Sequence, residues 1–298
     1  MFDGFEERHI PTANSSIFAR IGGAGAPVLL IHGFPETHLM WREVAPKLVS
    51  DFTVICVDLR GQGASGCPAS DADHRPFSKR AMAAELVEVM KQLGFERFAV
   101  AGHDRGGRVA YRMALDHSQS VERLAVLDVI PIADAWRHAD ARLALSFWPW
   151  SLLSQPAPLP ERLISASPEA VIDDAASQWG TRANCFPPAV RQAYADILRD
   201  PAHAHAICEE FRSAATLDRE HDEADRRSGR KIGCPVLLLW DGQGALSKWY
   251  ADQGGPIGIW QRWAADVRGK PMAGGHFFPE ACPEATADEL RKFFLGRA

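Results

Sequence analysis

The chain has 298 residues, 46% hydrophobic and 24% charged, a composition typical of folded globular proteins that argues against long disorder or a fibrous repeat. Its formal net charge of −5, with no basic block, argues against a nucleic-acid partner. The N-terminus MFDGFEERHI lacks the pattern of a secretory signal, and no apolar run reaches the roughly 18 residues that cross a membrane. We therefore expect a cytoplasmic protein of one or two domains with no membrane partner.

Five short apolar runs predict buried parallel strands, because their Val, Leu and Ile residues continue without the polar alternation of a half-exposed sheet. The runs are residues 27–31, 53–57, 97–101, 124–129 and 235–240. Helical periods lie between them, for example over residues 80–93, where apolar side chains form one stripe. This alternation predicts an α/β fold, a mostly parallel sheet flanked by helices.

Between residues 131 and 226 the alternation stops, and the sequence predicts helices interrupted by prolines. We interpret this segment as an inserted helical cap domain, with residues 1–130 and 227–298 forming the core domain. Ordinary helix packing can explain each tryptophan of the insert, but their placement also suits the roof of an apolar pocket. The insert contains four of the nine tryptophans: Trp136, Trp148, Trp150 and Trp179.

The cysteines are scattered, without a CxxC pair or the spacing of a small disulfide-bonded domain. We therefore expect free thiols, no metal site and no organic cofactor. The six cysteines are Cys56, Cys67, Cys185, Cys208, Cys234 and Cys282.

An apolar run leads directly into Gly102-His103-Asp104-Arg105-Gly106 and then into a predicted helix. This is the pattern of a nucleophile elbow with aspartate in place of serine, because the flanking glycines permit the sharp turn that exposes the central side chain. The helix N-terminus favours an ionised carboxylate on Asp104. The alternative is an aspartate that only caps the helix.

Further segments extend the resemblance to the α/β-hydrolase superfamily over nearly the whole chain. They are HGFP at 32–35, DLRGQGAS at 58–65 and GGHFF at 274–278. The resemblance implies an oxyanion hole made by the backbone N–H groups of Phe34 and Arg105. It also implies that His276, in a loop before the last helix, is the general base.

Two aspartates compete as the acid partner of His276, namely Asp128 after LAVL and Asp241 after LLLW. Both positions are used in the superfamily. We favour Asp128 because LDVIP resembles the acid-bearing stretch of the haloacetate dehalogenases. Its carboxylate would accept the imidazole N–H and stabilise the imidazolium, and the other aspartate would cap a strand end.

An aspartate nucleophile restricts the reaction. Its attack on an sp³ carbon gives an alkyl ester, which water activated by His276 then hydrolyses, so the leaving group is a halide or the oxygen of an opened epoxide. Arg105 directly follows Asp104, and Arg108 lies four residues after it. Their guanidinium groups are suited to hold a substrate carboxylate by bidentate hydrogen bonds, which predicts a short 2-haloacid as the substrate. Alternatively, the arginines only screen the nucleophile or pair with surface acids.

The combination of HGFP, GHDRGGR, LDVIP, SQPAPLPE and GGHFF closely resembles the fluoroacetate and haloacetate dehalogenases. In those enzymes a His, a Trp and a Tyr of the cap surround the departing halide. Here the Trp is retained as Trp150, whereas Pro149 stands at the His position and Phe211 at the Tyr position. Because fluoride is the most strongly hydrated halide, these losses predict hydrolysis of chloro- and bromoacetate and slow or absent defluorination.

Two other functions stay open. An epoxide hydrolase would use the same Asp104 and His276 and would need Tyr194, the one tyrosine of the cap segment, to face the nucleophile. A receptor or scaffold of this fold is disfavoured because all expected triad members are present. The resemblance also implies a homodimer that acts on a small halocarboxylate and water, with Trp179 of the cap among the substrate-binding residues.

Overall fold

The computed structural model describes residues 1–179 and 186–297. One eight-stranded sheet forms the centre, in the order β1-β2-β4-β3-β5-β6-β7-β8. Strands β1, β2 and β4 pair antiparallel, and every later pair is parallel. The strands are β1 (Glu6–Pro11), β2 (Ser16–Gly22), β3 (Ala26–Ile31), β4 (Phe52–Val57), β5 (Phe98–His103), β6 (Val121–Leu127), β7 (Val236–Asp241) and β8 (Val267–Met272).

The five strands predicted from the sequence correspond to β3 to β7, so the mostly parallel α/β sheet is confirmed. The sequence reasoning missed the three strands that lie at the two sides of the sheet. β1 reads EERHIP and is largely exposed, and β8 reads VRGKPM with only its last residue buried. Strands at sheet edges carry polar side chains, so the continuous apolar run that marks a central strand is absent there.

Helices cover both faces of the sheet. Leu29 and Ile31 of β3 point into a core layer shared with α1 and α2, and Val28 and Leu30 point into the opposite layer with α14. This alternation is the two-residue period of a strand buried on both sides. The helices outside the long insertion are α1 (Lys79–Gln92), α2 (Asp104–Asp116), α11 (Ala245–Trp249), α12 (Gly255–Trp260), α13 (Phe278–Ala281) and α14 (Pro283–Phe294).

A helical insertion separates β6 from β7. Its apolar side chains form a third cluster together with Phe34, Ile130 and Phe277, which belong to loops at the carboxyl ends of the parallel strands. The insertion therefore lies over the edge of the sheet where ligands bind in open α/β folds. Its helices are α3 (Ile132–Arg137), α4 (Ala141–Ser146), α5 (Trp148–Leu152), α6 (Leu159–Ala166), α7 (Pro168–Gln178), α8 (Pro188–Arg199), α9 (Pro201–Ala215) and α10 (Leu217–Ser228).

The structure also bears on the expectations about membrane-spanning helices and about the cysteines. None of the helices within the described residues is both long and apolar enough to cross a membrane. Cys185 lies outside the described residues, and the other five cysteines are free thiols.

Candidate active site

Asp104 is the first residue of α2 and follows β5 without a connecting loop. Its φ of 41° lies in the left-handed region, which a residue with a side chain adopts only when the surrounding structure enforces it. The flanking glycines are required by contact: a Cβ on Gly102 would lie 2.3 Å from the carbonyl oxygen of Gly106, and one on Gly106 would lie 2.4 Å from that of His32. The strand-to-helix turn thus forms as the sequence predicts and presents the carboxylate at the helix N-terminus.

The imidazole of His276, in the loop after β8, contacts Asp128, the residue that follows β6. Its Nδ1 lies 2.6 Å from Oδ2 of Asp128, and the other oxygen of Asp128 accepts the backbone N–H of Asp241 at 2.9 Å. The carboxylate of Asp241 instead accepts the backbone N–H of Gln243 at 3.0 Å, within the turn after β7. The structure therefore brings Asp128, and not Asp241, to the imidazole of His276.

A backbone donor also reaches Asp104. The N–H of Phe34 donates to Oδ2 of Asp104 at 3.2 Å, and the N–H of Arg105 belongs to the first turn of α2, where backbone donors lack intrahelical acceptors. Burial would raise the pKa of Asp104, but His276, Arg105 and Arg108 outweigh it and hold the pKa of this carboxyl below its ordinary value. The carboxyl of Asp104 is thus ionised at neutral pH.

His103 hydrogen-bonds to the backbone of the loop that carries His276, a contact that the sequence reasoning missed. Its Nδ1 lies 2.8 Å from Oε2 of Glu36, and its Nε2 lies 2.9 Å from the carbonyl oxygen of His276. Both partners are acceptors, so both ring nitrogens donate when His103 is protonated. Burial disfavours that charge, but Glu36 outweighs it and raises the pKa of His103 to about 9. No pattern in the sequence relates Glu36 to His103, which are distant along the chain.

A cavity of about 50 Å³ lies between the sheet edge and the insertion, and Asp104, Asp128 and His276 line it. This is room for a few water molecules, and hence for a small ligand. His276 and Trp179 also border an outer cleft of about 500 Å³, so the imidazole stands between the cavity and solvent. The two rings pack edge to face, with centres 5.5 Å apart.

Comparisons with known proteins agree with this geometry. A model of the alpha/beta hydrolase fold family matches residues 26–255. A fluoroacetate dehalogenase from Burkholderia sp is 42% identical over 98% of this chain and 95% of its own length. The chain belongs to the α/β-hydrolase family, in its haloacetate dehalogenase-like group. The resemblance inferred from the sequence motifs is thereby confirmed.

Two further relatives delimit what the family membership says about this hydrolase. A crystal structure named for an alpha/beta hydrolase from Nostoc sp PCC 7120 superposes with a TM-score of 0.95 at 43% identity and covers 100% of both chains. A soluble epoxide hydrolase from Corynebacterium sp. (strain C12) is 31% identical over 91% of each chain. The protein is thus a hydrolase whose relatives include enzymes named for carbon–halide and for epoxide substrates.

The two arginines of the hydrolase cavity differ in their partners. Nε and Nη2 of Arg105 both lie 2.7 Å from carboxylate oxygens of Glu210 on α9, and this ion pair is buried. Lys79 Nζ contacts the same carboxylate. Nη1 of Arg105 is buried and has no hydrogen-bond partner among the described residues. Glu210 therefore occupies Nε and Nη2, and the predicted binding of a substrate carboxylate by Arg105, which stays a prediction, depends on Nη1.

Arg108 carries a buried charge, and among residues 1–179 and 186–297 no carboxylate is in direct contact with it. The residue is 5% exposed, and Nη1 donates to the carbonyl oxygen of Ile130 at 2.7 Å. Its Nε is buried and without a partner in the described part of the chain. The guanidinium packs on the ring of Trp150 at 4.4 Å from the ring centre, a cation–π contact. Burial lowers the pKa of Arg108, and the charge of Asp104 opposes that effect.

The aromatic residues of the predicted halide region all line the cavity, with Pro149 beside Trp150. Within the described residues the indole N–H of Trp150 has no acceptor, whereas that of Trp179 donates to the carbonyl oxygen of Ser146 at 3.0 Å. Phe211 lies under the guanidinium of Arg105, 4.0 Å from its ring centre to the guanidinium carbon. Pro149 and Phe211 face the cavity and offer no donor, so Trp150 can donate a hydrogen bond there and Trp179 can contribute only its ring.

The tyrosines do not lie where the epoxide hypothesis requires. The hydroxyl of Tyr194 donates to Oε1 of Glu280 at 2.8 Å, and Tyr194 does not line the cavity. The condition that the epoxide alternative sets on Tyr194, that it face Asp104, is therefore not met, because a buried carboxylate holds its hydroxyl elsewhere. Tyr250, which follows α11, lines the cavity instead. The sequence reasoning missed it because it lies in no motif and outside the insertion.

Proposed function

We propose that this hydrolase converts short 2-halocarboxylates to 2-hydroxycarboxylates through an ester of Asp104. The observation that carries the proposal is the charge of Arg108, which is buried near Asp104 and has no carboxylate in contact within the described part of the chain. An unpaired buried cation is costly, and a carboxylate ligand in the cavity would compensate it. Nε of Arg108 and Nη1 of Arg105 supply two donors that are otherwise unused. The cavity volume of about 50 Å³ restricts the ligand to a small acid.

In the first half-reaction an oxygen of Asp104 attacks the α-carbon of the bound acid. The carbon–oxygen bond forms as the carbon–halogen bond breaks, and the halide leaves with the bonding electron pair. The arginines align the α-carbon with the carboxylate nucleophile, which is the contribution of orientation to the rate. Trp150 lines the cavity, and its indole N–H, which has no acceptor among the described residues, would solvate the departing halide.

In the second half-reaction the ester is hydrolysed at the Asp104 carbonyl. Nε2 of His276 takes a proton from water, and the hydroxide adds to the carbonyl carbon while Asp128 stabilises the imidazolium. The backbone N–H groups of Phe34 and Arg105 stabilise the oxyanion. The bond from the carbonyl carbon to the ester oxygen then breaks, and the alkoxide receives the proton from His276, which releases the hydroxy acid. Asp104 is left as a carboxylic acid and returns to the carboxylate by losing its proton to solvent.

The halide preference follows from Pro149 and Phe211, which contribute no donor to the cavity. Fluoride needs several hydrogen bonds to replace its hydration, and chloride and bromide need fewer. Each missing donor costs about 2–4 kcal/mol of transition-state stabilisation, by analogy with the loss of a single oxyanion-hole donor. We therefore propose chloro- and bromoacetate as substrates, with fluoroacetate slow or refused.

Epoxide hydrolysis is the second candidate, and Tyr250 is the observation that favours it. An epoxide oxygen needs an acid, and Tyr250 lines the cavity whereas Tyr194 does not and donates its hydroxyl to Glu280. The 31% identical epoxide hydrolase of Corynebacterium sp. (strain C12) supports the same alternative. Against it stands the buried charge of Arg108, which a neutral epoxide would leave uncompensated.

The test is halide release from chloroacetate, bromoacetate and fluoroacetate, measured by ion chromatography with styrene oxide as the parallel epoxide substrate. The matched control is Asp104→Asn. We expect chloride and bromide release that the control abolishes, with fluoride release slower by several orders of magnitude. Epoxide opening without halide release would overturn the proposal in favour of the second candidate.

A single turnover in oxygen-18 water tests the ester intermediate. The hydroxyl oxygen of the product comes from Asp104 and not from solvent, so we expect unlabelled glycolate and a label in the protein. Labelled glycolate in the first turnover would mean that water attacks the substrate directly. The cytoplasmic location and the homodimer stay predictions.

A further inference from the structure

Tyr250 lines the cavity from a turn of the core domain. The residue directly follows α11, and only 3% of its surface is exposed. Its carbonyl oxygen accepts the backbone N–H groups of Gln253 and Gly255 at 3.0 and 2.8 Å. Its ring packs edge to face on His138, with ring centres 5.9 Å apart. The backbone turn and the ring contact together fix where the hydroxyl points.

The hydroxyl of Tyr250 differs from those of the other two tyrosines. Tyr111 donates to Asp222 at 2.7 Å, and Tyr194 donates to Glu280 at 2.8 Å. Within the described residues Tyr250 makes no such bond, although a buried tyrosine O–H usually has a partner. Because the residue lines the cavity, the acceptor that would satisfy the hydroxyl is a ligand atom.

The charges around Tyr250 indicate which ligand atom that is. Burial raises the pKa of Tyr250 to about 12, and Arg108 opposes this more than any other charge. The phenol is therefore a neutral O–H donor at neutral and mildly alkaline pH, and it lies within the field of the guanidinium. Arg108 Nε is unpaired in the described part of the chain, so two unused donors belong to the same region of the cavity.

We propose that Tyr250 donates a hydrogen bond to the substrate carboxylate that Arg108 binds, and so helps to select carboxylates over neutral alkyl halides. The inference rests on the proposed function, because it assigns a donor to the same ligand. A carboxylate accepts several hydrogen bonds at once, so a guanidinium N–H and a phenol O–H can share it. Tyr250 takes no part in bond breaking and contributes equally to the bound substrate and to the transition state.

The first experiment measures binding without turnover. The dissociation constant of chloroacetate is determined by titration calorimetry for Asp104→Asn protein, alone and combined with Tyr250→Phe or with Tyr194→Phe. We expect the Tyr250→Phe change to weaken binding about tenfold, as for loss of one hydrogen bond to a charged group, and the Tyr194→Phe change to leave it within twofold. Thermal unfolding midpoints check that each protein is folded.

The outcomes separate this inference from the function on which it rests. If the Asp104→Asn parent binds no chloroacetate, the proposed function fails. If the parent binds it and Tyr250→Phe binds it equally well, the function stands and the role of Tyr250 is wrong.

The second experiment compares kcat and KM of Tyr250→Phe for chloroacetate in the otherwise natural sequence. An interaction made equally in the ground state and in the transition state raises KM and leaves kcat unchanged. We expect KM to rise about tenfold with kcat within threefold. A large loss of kcat at constant KM would overturn the inference, since it would place the hydroxyl on the leaving group.

Discussion

The carboxylate of Glu210 closes on one side of the Arg105 guanidinium, with both Nε and Nη2 at 2.7 Å from its oxygens. Arg108, one helical turn along α2, has no carboxylate in contact within the described residues, although it is equally buried beside Asp104. The two arginines therefore have different tasks. Arg105 forms an ion pair with Glu210 of the protein. In the proposed function, the carboxylate of the substrate balances the charge of Arg108.

Removal of the Glu210 charge should destabilise the fold. In Glu210→Gln the guanidinium of Arg105 stays buried but loses its carboxylate, and breaking one side of a buried ion pair costs about 3–5 kcal/mol. Urea unfolding followed by circular dichroism measures this free energy. The matched control is Glu169→Gln, which breaks an exposed pair with Arg199 and should change the stability by about 0–1 kcal/mol. Equal effects of the two substitutions would contradict the distinction.

Arg108→Met should separate stability from activity. The substitution removes a buried charge without a contacting counter-ion and keeps a long side chain on Trp150, so we expect the free energy of unfolding to rise by about 1–2 kcal/mol. We expect kcat/KM for chloroacetate to fall at least 100-fold, because the carboxylate loses its cationic partner. Urea unfolding and steady-state kinetics measure the two effects. A loss of stability together with retained activity would show that Arg108 serves the fold rather than the substrate.

Phe211→Tyr should restore a donor to the cavity. Phe211 lines it and packs edge to face on Phe34, with ring centres 5.5 Å apart, so a hydroxyl on the far end of the ring is a small addition. We expect fluoride release from fluoroacetate to increase about 30- to 1,000-fold, since one donor contributes about 2–4 kcal/mol to a developing anion. Ion chromatography of fluoride and chloride from paired reactions measures the change. An equal increase for both halides would argue against a specific effect on fluoride.

The stability of this hydrolase should depend on pH through His103. Burial disfavours its charge, but Glu36 raises the pKa of His103 to about 9, above its ordinary value of 6.5. A pKa raised by folding stabilises the protein fully below pH 6.5, and this contribution is lost as the pH rises through about 9. This contribution of His103 to the free energy of unfolding amounts to about 3 kcal/mol.

The measurement compares the natural protein with His103→Gln in urea unfolding at several pH values. The difference between their free energies of unfolding should shrink as the pH rises from 6.5 to 9. Other groups that titrate in this range are present in both proteins and cancel in the comparison. A difference that stays constant with pH would show that His103 is neutral in the folded protein.

The sequence by itself determined the fold class of the hydrolase and pointed to the residues that are proposed to react. Runs of Val, Leu and Ile mark strands buried on both faces, and local steric need marks the elbow, because Gly102 and Gly106 leave no room for a Cβ. Both patterns are local in the sequence, although the contact that excludes a Cβ from Gly106 is with the carbonyl oxygen of His32, which is distant along the chain. A resemblance in short motifs placed His276 and the oxyanion loop for the same reason, since each motif is a local segment with a fixed position relative to a strand end.

Only the tertiary structure decided which of these groups meet. Asp128 and Asp241 both end a strand, and the side chain that reaches His276 depends on how adjacent strand ends are oriented in space. Likewise Glu210 and Tyr250 lie far from Asp104 along the chain. The ion pair of Glu210 with Arg105 and the place of Tyr250 in the cavity lining exist only after the chain has folded. Pairing of charges and the burial of a hydroxyl are properties of three-dimensional neighbours, so no local pattern in the sequence carries them.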